Sequence, residues 1–104
     1  MTDRKQALKK IQEAEQSMQS MLQQKQAFLG QKAEVEEAIA ELESSDVAYQ
    51  IIANIMVRKD SKSILDNLND QKELISLRIK SIEGQEEKLK EQIKEYQESV
   101  MKGD

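Results

Sequence analysis

The chain has 104 residues, enough for one small domain, with 38% hydrophobic residues but only 3% aromatics, too little aromatic volume for an ordinary compact core. Charged residues reach 35% with no proline and only 3 glycines, the balance of long hydrated helices rather than of disorder, because the apolar residues are regularly spaced. The lack of Cys and His excludes thiolate or imidazole catalysis, zinc held by those ligands, and disulfides, while a net charge of -4 gives no electrostatic pull toward nucleic acid.

The opening residues Met1-Thr2-Asp3-Arg4-Lys5-Gln6 pass directly into polar amphipathic sequence, with no apolar targeting segment. No run approaches the ~18 uninterrupted apolar residues of a membrane span. The expected address is therefore the cytoplasm, with no membrane partner. Arg4, Lys5, Lys9 and Lys10 make a basic start, but no aromatic residues stand among them for bases to stack on, so no nucleic acid is expected.

Steps of alternately three and four residues pick out Ile11, Ala14, Met18, Met21, Lys25, Phe28, Lys32, Val35, Ile39 and Leu42. Eight of these ten are apolar, a heptad seam rather than a diffuse helical face. The seam predicts a first helix over about 3–44. Leu8, Leu22 and Leu29 fall beside the seam and widen it, so this helix is expected to meet more than one neighbour. The acidic residues Glu34, Glu36, Glu37, Glu41, Glu43 and Asp46 lie mostly on the heptad exterior. A solvated helix end explains them better than a metal or acid–base site, and no catalytic residue, metal ligand or cofactor is assigned.

The central block changes character. Ser44-Ser45-Asp46 reads as a helix stop, and Asp60 followed by Ser61 or Ser63 as a helix start. Between them the sequence is rich in β-branched residues and has no heptad. It predicts strands over about 47–52 and 55–59 joined at Ala53-Asn54; a continuous helix is the competing reading, opposed by the flanking stop and start. The turn signal is imperfect, since Asn-Gly is the strong form and here Asn54 follows Ala53. A two-residue turn puts Ile52, Ile55 and Val57 on one face and Tyr49, Ile51 and Met56 on the other. Both faces are then apolar, whereas a sheet with one wet face alternates, and open edges invite further pairing. Two helices meeting along a seam cannot cover both faces and both edges. Tyr49, Ile51, Ile52, Ile55, Met56 and Val57 are therefore expected to form the oligomerisation surface of an obligate assembly.

A second seam follows: Leu65, Leu68, Lys72, Ile75, Ile79, Ile82, Glu86, Leu89, Ile93, Tyr96 and Val100, nine of eleven apolar. It predicts a second helix over about 61–102. Outside the seam stand Gln, Lys and Glu, with Glu86/Lys90 and Glu87/Lys90 expected as helical pairs adding a few tenths of a kcal/mol each. Lys25 and Glu86 break their seams at comparable distances from the centre. Antiparallel pairing can bring them face to face and fix the register, unless both side chains point outward independently. Gly30 and Gly84 sit on outward positions at similar depth, each costing ~1 kcal/mol relative to Ala, a flexible point in the helices. Two helices of ~40 residues, about 60 Å each, flanking a short insert make an antiparallel coiled-coil hairpin whose termini meet at one tip. The whole, 1–104, reads as one mainly α domain with a central β-hairpin. Its tip carries Met1, Ala7, Leu8, Ile11, Met18, Met21, Tyr96, Val100 and Met101. Helix ends fray, and Met adapts to many apolar shapes, so these residues are candidates for capturing unrelated apolar segments. Ordinary seam packing with Met as filler is the alternative.

The stretch Ala48-Tyr49-Gln50-Ile51-Ile52-Ala53-Asn54-Ile55-Met56-Val57-Arg58-Lys59-Asp60 resembles the Tyr-Lys-x-x-Gly-x-x-x-Val-Lys core of beta-type prefoldin subunits. The run Leu77-Arg78-Ile79-Lys80-Ser81-Ile82-Glu83-Gly84-Gln85-Glu86-Glu87-Lys88-Leu89 is similar to that family's second-helix signature. The resemblance spans nearly the whole chain, and the hairpin block is its specific part. Ala53 stands where the family prefers Gly, and Ala tolerates positive φ poorly, so a strained or altered turn is implied. The resemblance implies an archaeal-like subunit of a hexamer, in which beta-type chains with one hairpin join alpha-type chains with two. Hairpins close into a β-barrel platform from which the coiled coils hang. It further implies an ATP-independent holdase, without cofactor, that takes up non-native proteins and delivers them to a group II chaperonin. A structural or adaptor coiled coil without chaperone activity is the competing function, and suppression of client aggregation separates the two.

Overall fold

Uninterrupted heptads without proline give two long helices, and the β-branched block between them gives two strands. The computed structural model describes residues 3–102, in the order α1 (Asp3–Glu43), β1 (Val47–Ile52), β2 (Ile55–Asp60) and α2 (Ser61–Lys102). The class is mainly α, with an antiparallel two-stranded hairpin as the only sheet among the described residues.

Helix α1 ends where Ser44 and Ser45 satisfy its last carbonyls: the Ser45 N–H donates to the Leu42 carbonyl (3.1 Å) and the Ser44 hydroxyl to that of Glu41 (3.0 Å). The start of α2 works differently from a simple N-cap. Ser61 is buried, and its hydroxyl donates to the Ser45 carbonyl at 2.8 Å, tying the chain entering the hairpin to the chain leaving it. Strand pairing runs from Val47↔Asp60 to Ile52↔Ile55, leaving Ala53 and Asn54 as a two-residue turn with φ of 48° and 67°. Positive φ at both positions is the signature of a type I′ turn. Ala53 adopts the left-handed conformation that the sequence marks as unfavourable for it, at a cost of roughly 1–2 kcal/mol.

Packing divides the chain into two compact units. The unit spanning Phe28–Arg78 holds the hairpin and the adjoining helical stretches. Its seam half-buries Phe28, Lys32, Val35, Ile39 and Leu42 against Leu65, Leu68, Lys72 and Ile75. The Arg78 guanidinium lies 5.8 Å from the Phe28 ring centroid, a cation–π contact. Lys72 reaches Glu36 at 3.3 Å, an exposed pair of little energetic weight. In the other unit, 3–27 with 79–102, Ala7, Ala14, Ile79 and Ile82 are buried, and Ile11, Met18, Met21, Leu89, Ile93, Tyr96 and Val100 are half-buried. The three-and-four spacing therefore marks the packed stripe on both helices. Among the described residues no large side chain is wholly buried, because a seam between two helices closes on only one side of each.

Candidate functional site

The alternation of a strand sorts the hairpin into two faces. On one, Ala48 is buried and Gln50 and Val57 are half-buried against the helical part of the same unit, while Ile52 and Ile55 stay exposed toward the turn. On the other, Tyr49, Ile51 and Met56 are 61%, 70% and 67% exposed. The reading of the sequence, Ile52, Ile55 and Val57 on one side with Tyr49, Ile51 and Met56 on the other, matches the register. Val47 was not among the residues singled out, although it extends the second face with Tyr49 and Ile51 by the same step of two and is itself exposed. A cleft of about 280 Å³ opens between the strands and the first turns of α2, lined by Tyr49, Gln50, Lys59, Ile64 and Leu68. Its lining mixes apolar and polar side chains.

The hairpin faces thus leave apolar area in water. A fully exposed Ile that becomes buried gains about 1.5–3 kcal/mol, and five such large side chains stand close together here: Tyr49, Ile51, Ile52, Ile55 and Met56. Contiguous apolar exposure of this kind marks an interaction surface.

The residues expected to receive clients fall in the other unit, apart from Met1, which lies outside the described residues. Ala7 is buried; Ile11, Met18, Met21, Tyr96 and Val100 are half-buried; Leu8 and Met101 are exposed. A second cleft, about 300 Å³, is lined by Gln6, Ala7, Lys10, Tyr96 and Ser99. Leu22 and Leu29, beside the α1 seam, are exposed, as are Leu74 and Leu77 on α2. The last two escape a count of seam positions because they lie outside the seam.

The polar break in the seams is one interaction. Lys25 Nζ donates to Glu86 Oε1 at 2.8 Å, with both side chains largely withdrawn from solvent. The hydrogen bond to Glu86 holds the Lys25 ammonium above its usual 10.5; desolvation opposes this, and the charges of Glu86 and Glu83 support it. Glu86 is therefore engaged across the seam, and no Glu86–Lys90 or Glu87–Lys90 pair forms within bonding range among the described residues. Nor do three or more acidic side chains converge as a metal-ligand set among those residues, and no helix there is long and apolar enough to cross a membrane.

Comparison with known proteins agrees with this geometry. Residues 5–103 match a family model described as prefoldin subunit. Prefoldin subunit beta of Archaeoglobus fulgidus is 33% identical over 93 residues, covering 80% of each chain. That of Pyrobaculum calidifontis is 31% identical over 93 residues, covering 86% of this chain and 74% of the relative. The crystal structure of the prefoldin beta subunit from Thermococcus strain KS-1 superposes with a TM-score of 0.90 at 26% identity, covering 96% of this chain and 90% of that one.

Proposed function

This chain belongs to the prefoldin subunit family, and we propose that within it the chain is a beta-type holdase subunit that binds non-native proteins without nucleotide and passes them to a group II chaperonin. The observation that carries the reading is the exposed apolar hairpin on a chain whose other apolar residues are mostly withdrawn into a seam. Such a hairpin is built to be covered by other subunits, copies of this chain and alpha-type chains alike, with strands joining into a barrel platform. The assembly is cytoplasmic.

Client binding falls to the terminal turns of the two helices. Leu8 and Met101 offer exposed apolar surface, and the cleft beside Ala7 and Tyr96 offers a shallow receptor for an apolar side chain. Ile11 and Val100 add surface when the ends fray, and the half-buried Met18 and Met21 continue the apolar stripe inward from them. Each contact is weak, and several subunits acting on one client multiply it. No step in this work needs a reacting group, a metal or a cofactor, and the chain is not expected to be an enzyme.

The test is suppression of aggregation of chemically unfolded, unrelated proteins by the assembled complex. Full protection is expected from the intact chain, and a steep loss after deletion of residues 1–12 together with 97–104, with assembly retained. Undiminished protection by the truncated complex would move client binding to the surface around Leu22 and Leu29. Absence of protection by the intact complex would leave an adaptor coiled coil.

A further inference from the structure

We propose that the outer face of α1 between Gln19 and Ala33 is a second client surface, and that its occupant is an amphipathic helical segment of a non-native protein, taken whatever the charge of that segment. The inference rests on the holdase reading and names a class of client for it. Leu22 and Leu29 widen the α1 seam in the sequence, yet α2 does not cover them: they stay 43% and 46% exposed. They stand seven residues apart on one helix, two turns along the same face. Gln19, Leu22, Gln26, Leu29 and Ala33 follow the steps of three and four on that face, and all five are exposed. This is a second heptad stripe, beside the one that α2 fills.

Spacing decides the shape of the occupant. Leu22 and Leu29 lie about 10 Å apart along the axis, the interval at which a partner helix presents its own i and i+7 side chains. In an extended strand the side chains of one face recur about every 7 Å and fall out of step. Gly30, beside Leu29, leaves open space: a Cβ added there meets nothing within 4 Å, and with the small Ala33 it lets a helix come close. Unfolded chains hold fluctuating helices whose apolar stripes lack a partner, and alone such helices are marginal. A preformed stripe on α1 supplies the missing partner.

Charge decides which helices are admitted. The chain is 35% charged, but within α1 the charges stop at Glu15 and resume at Lys32. Lys25 is the one exception, and it is held in the seam by Glu86 at 2.8 Å. Gln16, Gln23 and Gly30 line the solvent side of the stripe, none of them charged. Flanking charges are what set partner and orientation in a coiled coil, and like charges reject the wrong partner. Without them this face neither selects nor repels by charge, which suits clients that share no sequence. The exposed pair Leu74 and Leu77 on α2 differs, because Asp70, Glu73 and Lys80 stand one turn away on the same helix.

The probe is a fluorescent peptide of about 18 residues, five turns of helix, with Leu at steps of three and four and either Lys or Glu on the other face. A control peptide has the same composition with the Leu residues out of step. Anisotropy is read with the full assembled complex at about 0.15 M salt, where long-range charge is screened. The in-step peptide is expected to bind roughly tenfold more tightly than the control, with its Lys and Glu forms within about threefold of each other. Leu22→Ser with Leu29→Ser should cost about tenfold in affinity, with circular dichroism and oligomer mass unchanged, whereas Leu74→Ser with Leu77→Ser should cost nothing. Gln16→Lys with Gln23→Lys should make the complex prefer the Glu form. Equal binding of the out-of-step peptide, discrimination between the two charged forms by the wild type, or equal effects of the two Leu pairs overturns the proposal. The chain contains no Cys, so a disulfide in a peptide-free mixture of Leu22→Cys and Leu29→Cys chains would give the face to a second copy and overturn it too. If the complex protects unfolded proteins but does not bind the in-step peptide, this proposal falls and the holdase reading stands; if it protects none, both fall.

Discussion

Ile79 and Ile51 are the same residue type in opposite circumstances: Ile79 is 8% exposed in the seam and Ile51 70% exposed on the hairpin. The seam is self-sufficient because each helix brings a stripe that the other completes. The hairpin brings apolar side chains on both faces and finds cover within the chain only near Ala48, Gln50 and Val57. On the proposed reading one region is stabilised by folding and the other by association, and a substitution should report which region it falls in.

The largest expected effect separates the two directly. Ile51→Asp and Ile52→Asp, one on each face, place an unpartnered charge in the assembled interface at a cost of several kcal/mol. The oligomer should disperse in native mass spectrometry while the helical circular dichroism persists. Ile79→Asp should do the reverse in order of events, losing helical signal first. An oligomer mass unchanged by both hairpin variants would contradict the assignment.

A smaller effect probes the seam alone. Lys25→Ala and Glu86→Ala are expected to be coupled, the double variant losing less than the sum of the singles in urea denaturation, because either single change strands the other charge. The Lys25 ammonium titrates above its usual 10.5 in the folded chain. Its contribution to stability is therefore full below that value and lost as pH rises through the raised one. The difference in urea midpoint between the wild type and Lys25→Met should shrink above 10.5 and hold steady below it.

The smallest changes have opposite signs in the two regions. A Cβ at Gly30 or Gly84 meets nothing within 4 Å, so Gly30→Ala and Gly84→Ala should each stabilise the helices by ~1 kcal/mol. In the turn the sense reverses: Ala53→Gly removes the cost of φ 48° and should gain roughly 0.5 kcal/mol net of added chain entropy. Thermal unfolding reads all three, and none should change the mass of the assembly.

These contrasts also explain what the sequence discloses. Heptad spacing is a geometric property of the chain itself, so the packed stripe of both helices was legible from Ile11 to Leu42 and from Leu65 to Val100. The hairpin was legible because β-branched residues replace the heptad between two serine-rich boundaries, even with Ala53 in the turn. Local rules failed where tertiary partners intervene. Glu86 and Lys90 stand at helical spacing, yet Glu86 pairs with Lys25, 61 positions away in sequence. Ser61 has the chemistry of a cap, yet its hydroxyl bridges to Ser45. The contact of Arg78 with Phe28 carries no local signature, because it depends on which turns of the two helices lie side by side. Exposure of Leu74 and Leu77 went unread for the related reason that a count of seam positions passes over them.

The central claim is that the hairpin completes its structure on association whereas the seam completes its own within one chain. Amide hydrogen exchange, followed by mass spectrometry over a dilution series that spans assembly, tests it most directly. Peptides covering Val47–Ile52 and Ile55–Asp60 should gain protection as the oligomer forms, while peptides from the seams of α1 and α2 keep the same protection throughout. Hairpin amides equally protected in the dispersed chain, or seam amides gaining protection in step with them, would contradict the account.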